Sequence, residues 1–251
     1  MIEVSDQHDL DEATLGALSL LATSNVVANS VLPDGWYVPW NLAITAAAVA
    51  TATRPGGLSA TEVGLAPEHV AAGLKIGSGT AAVIGLTVSL ATRHPTSRQA
   101  FVDERGHIDA RELAVRVLFR VPAGTALLEE VAIRGVLPGL LEARAGWSHR
   151  RAVVVSSALF GAWHVLPTLR LGDTNAAVSN RLGGRSGQVS AVLGSVATTF
   201  AAGLVFSWLR DRSGSVVAPI VTHAALNGAG HVAAWRVSSS DTAPTTTGEG
   251  P

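Results

Sequence analysis

Apolar residues in this chain are gathered into runs, and short polar stretches separate the runs. The runs cover 15–32, 41–53, 76–91, 122–141, 152–166, 189–209 and 215–235. Each is mostly apolar, as expected for helices buried in a core or in lipid. The second run must extend back over Pro39 and Trp40 to approach the ~20 residues that a bilayer requires. Turn chemistry marks the boundaries: Pro33-Asp34-Gly35, Arg54-Pro55-Gly56-Gly57, Arg93-His94-Pro95, Pro167 and Arg210-Asp211-Arg212. Trp36, Tyr37 and Trp40 follow the first turn and read as an aromatic belt at an interface. Asn25 and Asn29, four apart in the first run, offer hydrogen bonds to other helices of a bundle.

The polar stretches predict less. Residues 58–73 read as a loop with a short surface helix, with Ser59, Thr61 and Glu62 available for capping. Glu112, Arg116 and Arg120 form one charged stripe beside Leu113, Val117 and Val121, which predicts a helix lying in the interface just before the fourth run. Residues 168–187 read as a Gly-rich loop. The ends are an acidic tail over 1–14 and a Ser/Thr/Gly/Pro tail over 237–251 with the composition of disorder. The expected fold is all-α: a polytopic helical membrane bundle of about seven transmembrane helices plus an interfacial helix. It would occupy 15–236 as one domain, with its chemistry concentrated in 120–235.

Composition narrows the class. The chain has 251 residues, 47% hydrophobic and 15% charged, where a soluble domain carries about 25% charged residues. Mean hydropathy is +0.34. A net charge of −1 supplies no basic surface for nucleic acid. The absence of cysteine excludes disulfides and thiolate metal ligands. The acidic first residues lack the basic, then apolar, pattern of a secretory signal. Arginines flank the runs on both sides, so the positive-inside rule leaves sidedness open.

Against this background Glu129, Glu130 and Arg134 stand out, because they interrupt the fourth apolar run. A charge near the centre of a spanning helix costs ~2.5–3.5 kcal/mol on insertion scales, and such groups are functional by default. Glu130 and Arg134 are four apart with the glutamate first, the favourable order for an ion pair along one face. Glu129 is turned by about 100° from Glu130 and faces elsewhere. The expectation is a buried brace at Glu130–Arg134 and a working carboxylate at Glu129.

Two later runs carry polar groups at similar spacing. Phe160 and His164 are four apart in the fifth, and His223 and Asn227 four apart in the seventh. None can face lipid without cost, so these groups should converge. A buried carboxylate beside an imidazole can hold and deprotonate a water. A second imidazole and an amide NH₂ can donate to a developing oxyanion. Together they describe hydrolysis of a peptide bond by an activated water, without a serine or cysteine nucleophile.

Glu129-Glu130-x-x-x-Arg134, Phe160-x-x-x-His164 and His223-x-x-x-Asn227, in this order on separate runs, resemble the three motifs of the CPBP (Abi) family of intramembrane proteases. That family includes the type II CAAX prenyl endopeptidases. The resemblance implies an integral, multi-pass protein of the cell membrane, as in many bacterial members, with its site in a cavity between helices. Carried over by position, Glu129 activates the water with His164 assisting, and His223 and Asn227 stabilise the oxyanion. Phe160, Glu130 and Arg134 support them. The partners implied are the lipid bilayer and a peptide or protein substrate, including a prenylated one. Ala132-Ile133 precedes Arg134 where many members have phenylalanine next to the arginine, a departure that affects packing alone.

Other readings compete. Glu129, His164 and His223 are ligand types that zinc accepts, although the chain has no His-Glu-x-x-His helix and the preferred chemistry requires no cofactor. Gly184-Arg185-Ser186-Gly187 has the Gly-x-Ser-Gly form of the rhomboids but lies outside an apolar run and leaves both glutamates unexplained. A transporter or an immunity or scaffold protein could use the same polar cluster, although no internal symmetry between halves is evident. His231 and Trp235 read as interfacial, and His149 with Arg150-Arg151 as a charged flank.

Overall fold

The computed structural model describes residues 4–103, 106–143, 147–174 and 185–241, and among these it contains helices, turns and loops but no strand. The principal helices are α1 (Val4–Ser30), α2 (Tyr37–Thr53), α3 (Val70–Ala91), α4 (residues 110–143), α5 (His149–Trp163), α6 (Val165–Thr174), α7 (Arg185–Ser213) and α8 (Val217–Asp241). Three segments, Pro67–Ala91, His149–Arg170 and Ser186–Ser213, are long and apolar enough to cross a membrane. Their apolar side chains largely face outward: Val83, Leu86, Leu193 and Val205 are exposed. In water that surface would call for a partner, whereas lipid covers it at no cost.

Local chemistry sets the helix ends. Asp109 caps α4 by accepting from the Glu112 N–H at 2.7 Å, and Ser148 caps α5 by accepting from the Arg151 N–H at 3.4 Å. Gly57 (φ 67°) and Gly214 (φ 70°) turn the chain after α2 and α7 in a conformation that favours glycine.

Three sequence expectations change. The interfacial helix and the fourth apolar run are a single helix, α4, running through Pro122. Proline supplies no N–H to the helix interior. Here Arg116–Ala126 is wound more widely, and the Leu127 N–H reaches back five residues to the Pro122 carbonyl. A second wide segment, Val131–Val136, follows the four α-helical residues Leu127–Glu130. Both glutamates therefore sit between two irregular stretches, a common placement for functional groups. The fifth run, in turn, does not end at Pro167: the chain breaks at His164 and continues as α6 into the stretch expected as a loop. Helix α1 begins at Val4, inside the expected acidic tail. Residues 242–251 of the expected C-terminal tail lie outside the described residues.

Helix α4 is central to the bundle, and every residue from 128 to 138 is buried. Leu128, Val131, Val136, Leu137 and Leu140 join Ala13, Ala17 and Leu21 of α1 and Ile44, Ala48 and Ala52 of α2 in one core. The alanines let the helices approach closely. On the other side of the bundle, α3 packs on α8 through Gly73 and Gly77. A Cβ on Gly77 would lie 2.8 Å from Val221 Cβ, and one on Gly73 would lie 2.9 Å from Val217 Cβ. Thr80 and Thr222 share a 2.5 Å hydrogen bond across this contact. Helix α8 thus presents one face to α3 and another to α4.

Candidate active site

Glu130 and Arg134 have fully buried side chains. Arg134 Nη1 donates to Glu130 Oε1 at 3.4 Å, while Nε lies 3.2 Å from Oε2 without hydrogen-bond alignment. The pair is therefore a charge contact rather than a bidentate fork. The guanidinium instead spreads over two rings, 3.9 Å from the Phe160 centroid and 5.2 Å from that of Phe206. Planar, weakly hydrated arginine suits such a stacked position. The expected brace is present, with the aromatic floor as an addition.

Glu130 also holds His223. His223 Nδ1 lies 2.6 Å from Glu130 Oε1. A carboxylate paired with arginine only accepts, so Nδ1 carries the hydrogen and donates. Phe206 stacks on the imidazole at 5.2 Å with 22° between planes. The ring is thereby fixed in tautomer and orientation, with Nε2 directed to Glu129, 3.8 Å from Oε2. That separation is too long for a direct hydrogen bond and suits one intervening water.

Glu129 differs from its neighbour. Trp163 Nε1 donates to its Oε1 at 3.2 Å, whereas Oε2 is buried and has no hydrogen-bond partner among the described residues. The phenol of Tyr37 is within electrostatic reach of Glu129 from α2 and bonds Thr125 Oγ1 at 3.1 Å, one turn before Glu129. Asn41 donates to the Gly124 carbonyl at 2.6 Å. Helix α2 is thus laced to the widened segment of α4 just ahead of the glutamates.

His164 sits at the break between α5 and α6. Its Nδ1 donates to the Phe160 carbonyl at 2.9 Å, because a carbonyl only accepts, and this leaves Nε2 free. The Phe160 ring lies between the two imidazoles, its centroid 4.7 Å from that of His164 and 6.2 Å from that of His223. His164 and Asn227 line one polar cavity of about 470 Å³ together with Asp103, Leu226 and His231. The four predicted residues therefore assemble as two pairs, Glu129 with His223 and His164 with Asn227. Among the described residues no hydrogen bond joins one pair to the other.

An apolar cavity of about 460 Å³ opens on the other side of Trp163. Leu18, Leu21, Leu137, Leu159 and Leu166 contribute to its lining. Among the described residues no three His, Asp or Glu side chains are grouped closely enough to hold a metal ion. The Nδ1 contacts of His223 and His164 leave Nε2 of each ring as the nitrogen that a metal could take. Ser186 is exposed at the start of α7. Trp163 and Phe206 escaped the sequence reading, while Tyr37 and His231 were expected at an interface rather than beside the site. Trp163 alone carried a usable signal, an indole donor adjacent to a candidate histidine inside an apolar run.

Residues 111–229 match the family model for type II CAAX prenyl endopeptidase Rce1-like proteins. Over this segment the chain is similar to the CAAX proteases. The match spans just under half of the chain and contains all three motifs. The Rce1-like family suggests an endopeptidase of the CAAX type, a membrane protein acting on a peptide. No curated protein and no solved structure matches the chain significantly. Helices α1 to α3 lie before the matched segment, yet Asn25, Tyr37 and Asn41 reach the site from them.

Proposed function

We infer that the protein is an intramembrane endopeptidase that cleaves a peptide bond with a water held between Glu129 and His223. One observation carries this reading. Glu129 Oε2 is buried and unbonded, and it faces an imidazole nitrogen whose lone pair is freed by the Glu130 contact. Both atoms are acceptors, and a water has two hydrogens to give them. Glu129 takes one proton as the water oxygen attacks the scissile carbonyl. Asn227 Nδ2 donates to the oxyanion, and Glu129 returns the proton to the departing amine. His164 Nε2, at the wall of the same cavity as Asn227, contacts the substrate backbone. In this scheme His223 holds the water and His164 faces the substrate, an exchange of the roles that motif position alone implies. The Glu130–Arg134 pair sets the orientation of His223.

The reading extends to seven membrane crossings in a bacterial cell membrane and to a lipidated or membrane-associated substrate cut near its C-terminus. The apolar cavity beside Trp163 would accept an apolar part of that substrate. The direct test compares wild type with Glu129→Gln in the native host by profiling the termini of membrane and secreted proteins. Termini that vanish with the carboxylate support the proposal. An unchanged profile removes it. Cleavage that persists in a strong chelator agrees with a reaction carried by these side chains, and its loss would bring zinc back.

A further inference from the structure

The helix break at His164 leaves one carbonyl without its usual donor. In an unbroken helix the Trp163 carbonyl would accept from residue 167, which is proline and has no N–H. Asn25 of α1 supplies the missing donor: its Nδ2 reaches Trp163 O at 2.9 Å. Asn25 is buried, and Asn29 one turn later donates to its Oδ1 at 3.1 Å, which fixes which end of the amide faces Trp163. The same tryptophan donates its indole N–H to Glu129 Oε1. Its ring forms part of the wall between the apolar cavity and the carboxylate.

We propose that Trp163, anchored through its backbone by Asn25, is a positioning residue for Glu129. It occupies one carboxylate oxygen and so presents the other, Oε2, to the water and His223. The two contacts form a single line from α1 to the proposed base: amide to carbonyl, indole to carboxylate. A role confined to packing would need the ring but not its N–H, and would be indifferent to the charge at position 129. This proposal rests on the reading of Glu129 as the general base.

The test uses the full chain in lipid nanodiscs with ¹⁵N-labelled indole groups. The chain has six tryptophans, and the Trp163 resonance is the one lost in Trp163→Phe. Glu129→Gln should move that resonance and leave the other five in place, and Asn25→Ala should move it as well. In parallel, cleavage of an internally quenched prenylated CAAX peptide should fall about tenfold or more in kcat for Trp163→Phe with KM little changed, the consequence of losing a hydrogen bond to a charged group. A resonance that ignores Glu129→Gln, or a kcat untouched by Trp163→Phe, overturns the proposal and leaves the protease reading standing. A resonance that responds in a protein unable to cleave any peptide supports the contact and sinks the protease reading instead. Should Trp163→Phe fail to fold, Trp→Phe changes at the other five tryptophans assign the Trp163 resonance by exclusion, and its response to Glu129→Gln still decides.

Discussion

Glu129 and Glu130 are adjacent in sequence but are bonded differently. Glu130 is sealed: fully buried, bonded by His223 and paired with Arg134, whose guanidinium lies on Phe160 and Phe206. Glu129 is buried too, but one of its oxygens is held by an indole and the other has no hydrogen-bond partner among the described residues. A buried ion pair is poor evidence of stability, because desolvation offsets most of the attraction. It is expensive to break once formed. A buried acceptor left unbonded costs free energy with no structural return. The first arrangement suits a scaffold, and the second suits a group that reacts.

This contrast can be broken in order of effect. Removing one partner of the sealed pair strands a buried charge, so Arg134→Met should cost about 3–5 kcal/mol. Thermal unfolding in detergent checks it, and replacing both partners with Glu130→Leu and Arg134→Met should recover much of the loss without restoring cleavage. At the unbonded carboxylate, Glu129→Gln should leave the melting temperature near that of wild type. Cleavage should fall by ~10²–10⁴, the contribution expected of a positioned general base. If Glu129→Gln instead unfolds the protein while Arg134→Met does not, the division of labour is reversed.

Packing away from the site should respond more moderately. Gly77→Ala places a Cβ 2.8 Å from Val221 Cβ, which α8 cannot avoid by turning a flexible side chain. A loss of about 1–3 kcal/mol is expected, read as a lower melting temperature, with catalytic constants preserved in the folded fraction. The smallest effect belongs to the loop between α2 and α3. There Ser59 donates its N–H and its hydroxyl to Glu62 Oε2, each at 2.7 Å. These bonds hold the Glu62 carboxyl below its ordinary value of 4.5. A depressed folded value means that this stabilisation is complete above pH 4.5 and is lost as pH falls through the folded value. The site is exposed, so Glu62→Gln should cost only about 0.5 kcal/mol at neutral pH and flatten the acid limb of the unfolding profile slightly.

Much of the site was legible in the residue pattern because membrane-depth charges have few permitted explanations. The spacing of Glu130 and Arg134 predicted their pairing, and the cost of polar groups in lipid predicted that His164, His223 and Asn227 would turn inward. Asn25 was legible as a cross-helix donor but not its acceptor, since a carbonyl orphaned by Pro167 becomes apparent only when the two helices are side by side. His149 read as a charged flank, yet it joins Glu142 and Asp211 at 2.8 and 2.9 Å and so ties the ends of α4 and α7 to the start of α5.

Read alone, the chain determines an all-helical bundle and which polar side chains are candidates for its chemistry, because both follow from local periodicity and from the expense of burying charge. Tertiary structure decides which imidazole meets which carboxylate. It places His223 on Glu130, sends His164 to the cavity of Asn227, and carries α4 unbroken through Pro122. The reason is that hydrogen-bond partners between helices depend on rotation and register, and the three wide or broken turns in α4 and between α5 and α6 shift both by amounts that no fixed helical period contains.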